Sequence, residues 1–177
     1  MQETDVLVIG GGSVGVSSAY YIHKAGLDVT LVELGDICAG SSHGNAGLIV
    51  PSHSIPLATP GAVKNGLKWM FDPDSPFYIK PHLDWTFIKW LWQFRAASKT
   101  HKMHRAIPLI RDLSLQSLSL FEEIHQMSRL DFDYQKKGLL MLYHGQHGLD
   151  EGCEEAQLLN RYGVETAIYT PDEIADL

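Results

Sequence analysis

The short apolar run Val6-Leu7-Val8-Ile9 stops on Gly10-Gly11-Gly12, and this junction constrains the fold more than any other stretch of the chain. A β-branched run of this length, bounded by glycine, predicts a buried parallel strand. Ser13-Val14-Gly15 follows, so glycines stand at positions 10, 12 and 15 with the spacing G-x-G-x-x-G. Each serves a different physical need. Gly10 makes the tight turn, Gly12 admits a pyrophosphate to the backbone, and Gly15 lets a helix pack close to the strand. The helix should run from there to Gly26, which suits its C-terminus, with Val16, Ala19, Tyr20 and Ile22 on the buried side. Its N-terminus directs free N–H groups and the positive end of its dipole at phosphate. A second strand then ends at Glu33, twenty-three residues past Gly10. An acid at that distance accepts hydrogen bonds from a ribose hydroxyl and repels a 2′-phosphate, which argues against NADP. A glycine motif alone is a weak signal; set in a strand–turn–helix–strand frame with the acid in place, it is a specific one.

Composition narrows the partners. The 177 residues suffice for one core or slightly more, and a formal net charge of −7 leaves no electrostatic footprint for nucleic acid. Cys38 and Cys153 are the only cysteines and form no C-x-x-C pair, so a reduced, cytoplasmic protein is expected rather than a disulfide framework or zinc site. Met1-Gln2-Glu3-Thr4-Asp5 lacks the basic start of a signal peptide, and no stretch of about 18 uncharged apolar residues is present to span a membrane.

After Glu33 and Leu34 the chain reads Gly35-Asp36-Ile37-Cys38-Ala39-Gly40-Ser41-Ser42-His43-Gly44-Asn45-Ala46-Gly47, too rich in glycine and serine for an element interior. Such a loop leaves amides and hydroxyls free to line a second part of a large ligand; the plainer alternative is a mobile surface loop.

The run from Val6 to Glu33, followed by Gly40-Ser41-Ser42-His43-Gly44-Asn45-Ala46-Gly47-Leu48-Ile49, resembles the FAD-dependent D-amino acid oxidase and dehydrogenase superfamily. The later segment from Pro60-Gly61 to Leu67-Lys68-Trp69-Met70-Phe71-Asp72-Pro73-Asp74-Ser75-Pro76-Phe77-Tyr78 is similar to bacterial D-amino acid dehydrogenases. The resemblance implies an α/β fold: a Rossmann-like FAD-binding domain with part of an α+β substrate domain. Residues 1–50 would be the N-terminal part of the FAD-binding domain, and residues 51–177 a helical connection and partial substrate domain. It further implies noncovalent FAD, with Gly10, Gly12, Ser13, Val14 and Gly15 at the pyrophosphate and Glu33 and Leu34 at the adenosine ribose. Ser41, Ser42, Asn45, Ala46, Gly47 and Leu48 would lie near the pyrophosphate and flavin. Sarcosine oxidase relatives carry arginines after the serine–histidine motif, where this chain has Gly47 and Val50, which lowers the expectation of an N-methyl amino acid oxidase.

From Pro60 the nucleotide-binding pattern ends. A short helix is predicted over 60–71 and an irregular connection over 72–82, which holds Pro73, Pro76 and Pro81. Residues 84–97 read as a helix capped by Asp84, with Phe87, Ile88, Leu91, Trp92 and Phe94 at helical spacing. A core helix is the expectation there; a helix facing a membrane surface or quinone is the alternative. A longer helix is predicted over 101–128, with Leu109, Leu113, Leu120 and Ile124 inward and Pro108 near its start or at a kink. Strands are predicted over 131–144 and from Val164 to Tyr169, and a helix over 148–162 with Cys153, Ala156 and Leu159 inward, stopped by Gly163. Thr170-Pro171-Asp172-Glu173 opens a last helix, in which the chain ends.

The pairs His101/His104 and His144/His147 have helical spacing but no third ligand nearby in sequence, so polar faces are expected rather than metal sites. His43 and Cys38 match no flavin-attachment motif, and Ser41 lacks the strand–elbow–helix of a triad nucleophile. The resemblance implies oxidation of the Cα–N bond of a D-amino acid to an imino acid, then a 2-oxo acid and ammonia, with quinone or oxygen as the final electron acceptor. Family members are longer, with their substrate-carboxylate arginine and closing flavin contacts beyond the stretch matched here. The 177 residues alone are therefore expected to self-associate and to lack turnover. Three alternatives stand: a nucleotide-binding module without catalysis, an NAD-dependent dehydrogenase, or an oxidase of glycine or N-substituted amino acids. A cytoplasmic location is expected, with peripheral contact to the inner membrane as the variant.

Overall fold

A computed structural model of the protein describes residues 3–62, 66, 84–127 and 131–175. The chain forms two compact units, Met1–Leu48 and Ile49–Leu177.

The first unit is built on β1 (Val6–Ile9), α1 (Ser13–Lys24) and β2 (Val29–Val32). The strands are parallel, with Val6 opposite Val29 and Ile9 opposite Val32. Parallel strands cannot be joined by a tight turn, and α1 supplies the crossover. The helix stops where Gly26 turns to φ +92°. Gly26 N–H donates to His23 O at 2.8 Å and Leu27 N–H to Ile22 O at 3.4 Å, the paired bonds of a Schellman ending. At the other end of β2, Gly10 N–H donates to Val32 O at 2.8 Å and continues the ladder one residue beyond the strands.

Two expectations for this unit need correction. β1 is covered on one face only: Val6 and Val8 are half-buried, whereas Leu7 and Ile9 are 53% and 81% exposed. Among the described residues a single helix covers the sheet, so the outer set of the alternating side chains meets solvent. Val16 is also exposed, because it lies about 100° around α1 from Gly15, the residue seated on the strand end.

The second unit contains α2 (Trp85–Ala97), α3 (Thr100–His125), α4 (Gly145–Arg161) and α5 (Pro171–Ile174). Asp84 caps α2, its Oδ1 accepting from Phe87 N–H at 2.8 Å. α4 ends on Gly163 at φ +75°, and Val164 N–H donates back to Leu159 O at 3.1 Å, placing two buried side chains together at the stop. Thr170 and Glu173 form a capping box with Pro171 in the first turn of α5, and that helix ends at Ile174 rather than running on. Tyr162 joins α4 to α3: its hydroxyl lies 2.7 Å from His104 Nδ1, and its carbonyl accepts from Arg111.

Cys153, Ala156 and Leu159 face inward on α4 as expected. On α3 the inward stripe is Met103, Ile107, Ile110, Ser114, Ser117 and Phe121, with Ile107 fully buried. Leu109 and Leu113 point away and are 67% and 68% exposed. The helix carries apolar residues on two sides, and periodicity alone does not distinguish the side that is buried. Pro108 lies inside α3 without ending it. Residues 131–144 and 164–169 form no strand, having no partner strand among the described residues. Of the helix expected over 60–71, residues 60–62 and 66 are helical; its remaining residues and the connection over 72–82 lie outside the described residues.

Ile107→Ala should destabilise the protein by about 2–5 kcal/mol, as deletion of a fully buried branched side chain does. Leu109→Ala should change stability by less than about 0.5 kcal/mol. Urea unfolding followed by circular dichroism measures both; equal effects would contradict the observed facing of α3.

Candidate functional site

The turn after β1 is held by one close approach. Gly10 adopts φ +104°, a conformation that side chains rarely permit. A Cβ on Gly15 would overlap Gly10 O, so the first turn of α1 rests directly on the end of the strand. That packing aims the start of α1 at an open groove of about 460 Å³. Gly12, Glu33, Leu34, Gly35, Asp36, Cys38, Ala39, Gly40, Ser41 and Ser42 line it.

Glu33 stands immediately after β2, beside the glycine turn. Gly11 N–H donates to its Oε2 at 2.5 Å, and Leu34 and Gly35 N–H donate to its Oε1 at 2.7 and 3.4 Å. These bonds, that from Gly11 first, hold the Glu33 carboxyl below the usual carboxylate range. Gly11 O in turn accepts from Cys38 N–H at 2.9 Å, so the loop after β2 is tied back to the turn after β1. At the helix start, Ser13 N–H donates to Ser42 Oγ at 2.9 Å, and a Cβ on Gly12 would meet the same hydroxyl at 3.1 Å. Asn45 braces the far end of the loop: its Nδ2 donates to Ser42 O at 2.5 Å and its Oδ1 accepts from Gly47 N–H at 2.6 Å.

Of the residues singled out from sequence, the groove brings together Gly12, Glu33, Leu34, Ser41 and Ser42. Gly10 and Gly15 shape the turn, while Ser13 and the 80% exposed Val14 form the first turn of α1. Asn45, Ala46, Gly47 and Leu48 sit on the exposed loop and do not line the groove. Sequence reasoning misses Gly11. It is buried, and a Cβ there would lie 2.5 Å from Ile37 Cδ1. Its place in a run of three glycines is the available signal. Cys38 enters the sequence reading as an unpaired cysteine and through flavin attachment; its backbone bond to Gly11 has no signature in spacing.

A glycine turn admitting close approach, a helix start with accessible amides and an acid at the end of the next strand suit a nucleotide diphosphate and its ribose. The class so defined is a βαβ nucleotide-binding frame. Comparison with known proteins specifies it: residues 5–177 match the model of the FAD dependent oxidoreductase family, and the chain belongs to that family. Members of this family bind FAD. The chain is 34% identical over 173 residues to a D-amino acid dehydrogenase of Helicobacter pylori, covering 94% of this chain and 42% of the relative. A D-amino acid dehydrogenase of Neisseria meningitidis serogroup C is 30% identical over 173 residues, 97% of this chain and 41% of its own length. One of Granulibacter bethesdensis is 31% identical over 160 residues, 90% of this chain and 38% of its own length. The chain thus spans about two fifths of the length of these relatives. No solved structure matches it significantly.

Gly15→Ala forces α1 off the strand and should abolish flavin retention, whereas Gly44→Ala, with nothing within 4 Å, should retain it; flavin absorbance of the purified proteins compares them. The Glu33 carboxyl should titrate below 4.5, its unperturbed value. The contribution of its bonds to Gly11, Leu34 and Gly35 is then present above that pH and lost as pH falls through the lower folded value. The amide shift of Gly11 should report the transition by NMR; a midpoint at or above 4.5 would contradict the hydrogen bonding described.

Proposed function

We propose that this chain binds FAD noncovalently through its first unit and serves the oxidation of a D-amino acid. The observation that carries this reading is Glu33 set beside the Gly11 amide at the mouth of a groove that also holds Gly12 and Ser42. A carboxylate offers about four lone-pair sites, and three are taken by amides here, which leaves acceptor capacity for a ribose hydroxyl. Gly10, Gly12, Ser13, Val14 and Gly15 would form the pyrophosphate turn, with Ser42 yielding the Ser13 amide to a phosphate oxygen. Leu34 would flank the adenosine, and Ser41, Asn45, Ala46, Gly47 and Leu48 would form the loop toward the flavin. We assign residues 1–50 to the FAD-binding domain and residues 51–177 to a helical connection and part of a substrate domain.

When bound, FAD supplies the acceptor for the hydride leaving the substrate Cα. The chain would contribute orientation: the amides of the glycine turn and the Ser42 hydroxyl would hold the diphosphate, and Glu33 would hold the ribose. The resulting imino acid would hydrolyse to a 2-oxo acid and ammonia, with quinone or oxygen as the final electron acceptor. The relatives at 30–34% identity are D-amino acid dehydrogenases, which supports the substrate class.

Glu33→Ala should weaken FAD binding about tenfold or more by titration. Gly12→Val should give a colourless protein with unchanged far-UV circular dichroism, because its side chain fills the phosphate approach next to Ser42. Protein expressed from the natural gene should lose its flavin absorbance anaerobically with D-alanine and keep it with L-alanine. Reduction by NADH alone would overturn the substrate assignment.

A further inference from the structure

The first unit carries five acidic side chains, Glu3, Asp5, Asp28, Glu33 and Asp36, and one cation of the lysine and arginine type, Lys24. Lys24 is the last residue of α1, so the length of the helix, about 18 Å, separates it from the glycine turn. Its ammonium lies 5.6 Å from the centre of the Tyr21 ring. The groove is lined by two carboxylates, Glu33 and Asp36, and among the described residues by no lysine or arginine. Hydrogen bonds from Gly11, Leu34 and Gly35 keep Glu33 ionised at neutral pH. Asp36 is exposed, and its carbonyl accepts from Ala39 N–H at 3.2 Å. Its carboxylate is in no ion pair among the described residues, so what it brings to the groove is charge.

A phosphate in this groove meets neutral donors only: amides, hydroxyls and the partial positive charge at the start of α1. Sites built for a terminal phosphate set lysine or arginine against it, as the lysine of a P-loop does. No such residue stands between Gly10 and His23. The difference matters because the two kinds of phosphate differ in charge. A diphosphate esterified at both ends carries one charge per phosphate, whereas a terminal monoester carries about −1.5 to −2 at neutral pH. ADP and ATP share the adenosine and the first phosphates of FAD. Hydrogen bonding to that half does not reject them, and charge does.

We infer that Asp36 is a specificity-determining residue of the groove, excluding adenine nucleotides that end in a phosphate monoester and admitting a diphosphate esterified at both ends. The inference rests on the reading that the groove takes a nucleotide diphosphate. Glu33 is committed to the turn by three amide bonds, and Asp36 adds a second negative charge to the same wall. The energy of the filter is repulsion between exposed charges, so salt weakens it.

Protein expressed from the natural gene, freed of bound flavin, tests this by titration with FAD, using ADP-ribose and ADP as competitors without divalent cations. ADP-ribose and ADP share adenosine and diphosphate and differ in the ester that removes the terminal charge. ADP-ribose should bind more tightly than ADP. Raising salt from about 0.01 to about 0.15 M shortens the screening length from about 30 to about 8 Å and should tighten ADP binding, where a cationic phosphate site would lose affinity. Asp36→Asn should narrow the preference for ADP-ribose by about threefold or more, with unchanged circular dichroism. Glu3→Gln makes the same charge change before β1, at the end away from the glycine turn, and should leave the preference as it is. FAD binding together with equal affinity for ADP and ADP-ribose, or with a preference that Asp36→Asn leaves intact, overturns the filter alone. An equal effect of Glu3→Gln overturns it as well, making net charge and not Asp36 the cause. Failure to bind FAD, ADP-ribose and ADP alike overturns the reading of the groove and the filter with it.

Discussion

The carbonyl oxygen of Gly10 occupies the place that a side chain on Gly15 would need, and the rest of the first unit follows from that contact. Because α1 begins directly on the strand end, its first amides open toward the groove rather than into a packed interior. Because the ladder runs Ile9 to Val32 and on through Gly10 N–H to Val32 O, Glu33 emerges beside Gly11 and not one residue to either side. A one-residue slip would turn that carboxylate to the other face of the sheet. The acid that suits a ribose is thus positioned by strand register, and the register is anchored by two residues without side chains.

Gly11 is the joint between this frame and the loop that follows. Its N–H is held by Glu33 and its carbonyl by Cys38, so both polar groups of a buried residue are satisfied by the segment after β2. The loop in turn bonds the start of α1 through Ser42, and Asn45 braces Ser42 from beyond. On the proposed reading, a ligand entering here would exchange existing hydrogen bonds instead of meeting bare amides. The net gain from each such exchange would be small, which would place affinity in the charge of a diphosphate and the fit of the groove.

The βαβ frame is legible in the sequence because its determinants are local: a strand length, three glycines, a helix ending at Gly26 and an acid after the second strand. The caps at Asp84 and Thr170 and the stop at Gly163 are legible for the same reason, being short-range hydrogen bonding. What escapes depends on what a segment packs against. Residues 131–144 have strand composition, yet a strand exists only with a partner. α3 has two apolar sides, and only its surroundings decide that Ile107 is buried while Leu109 is not. In the site, Gly11 and Cys38 act through backbone atoms, which residue identity does not reveal.

Among the described residues, the exposed apolar surfaces of β1 and α2 differ in chemistry. Leu7 and Ile9 on β1 are aliphatic, no Lys or Arg precedes Lys24, and the nearby charges are the acids Glu3, Asp5 and Asp28. Nothing there selects between another protein surface and a further layer of structure, and an anionic membrane is disfavoured by sign. The α2 stripe differs on each count. Its exposed residues are indoles with polar N–H edges, lysine alternates with them, and the chain continues into further cations without a single acid until Asp112. Aliphatic burial is indifferent to what covers it, whereas each indole carries a polar N–H edge that a covering surface has to satisfy.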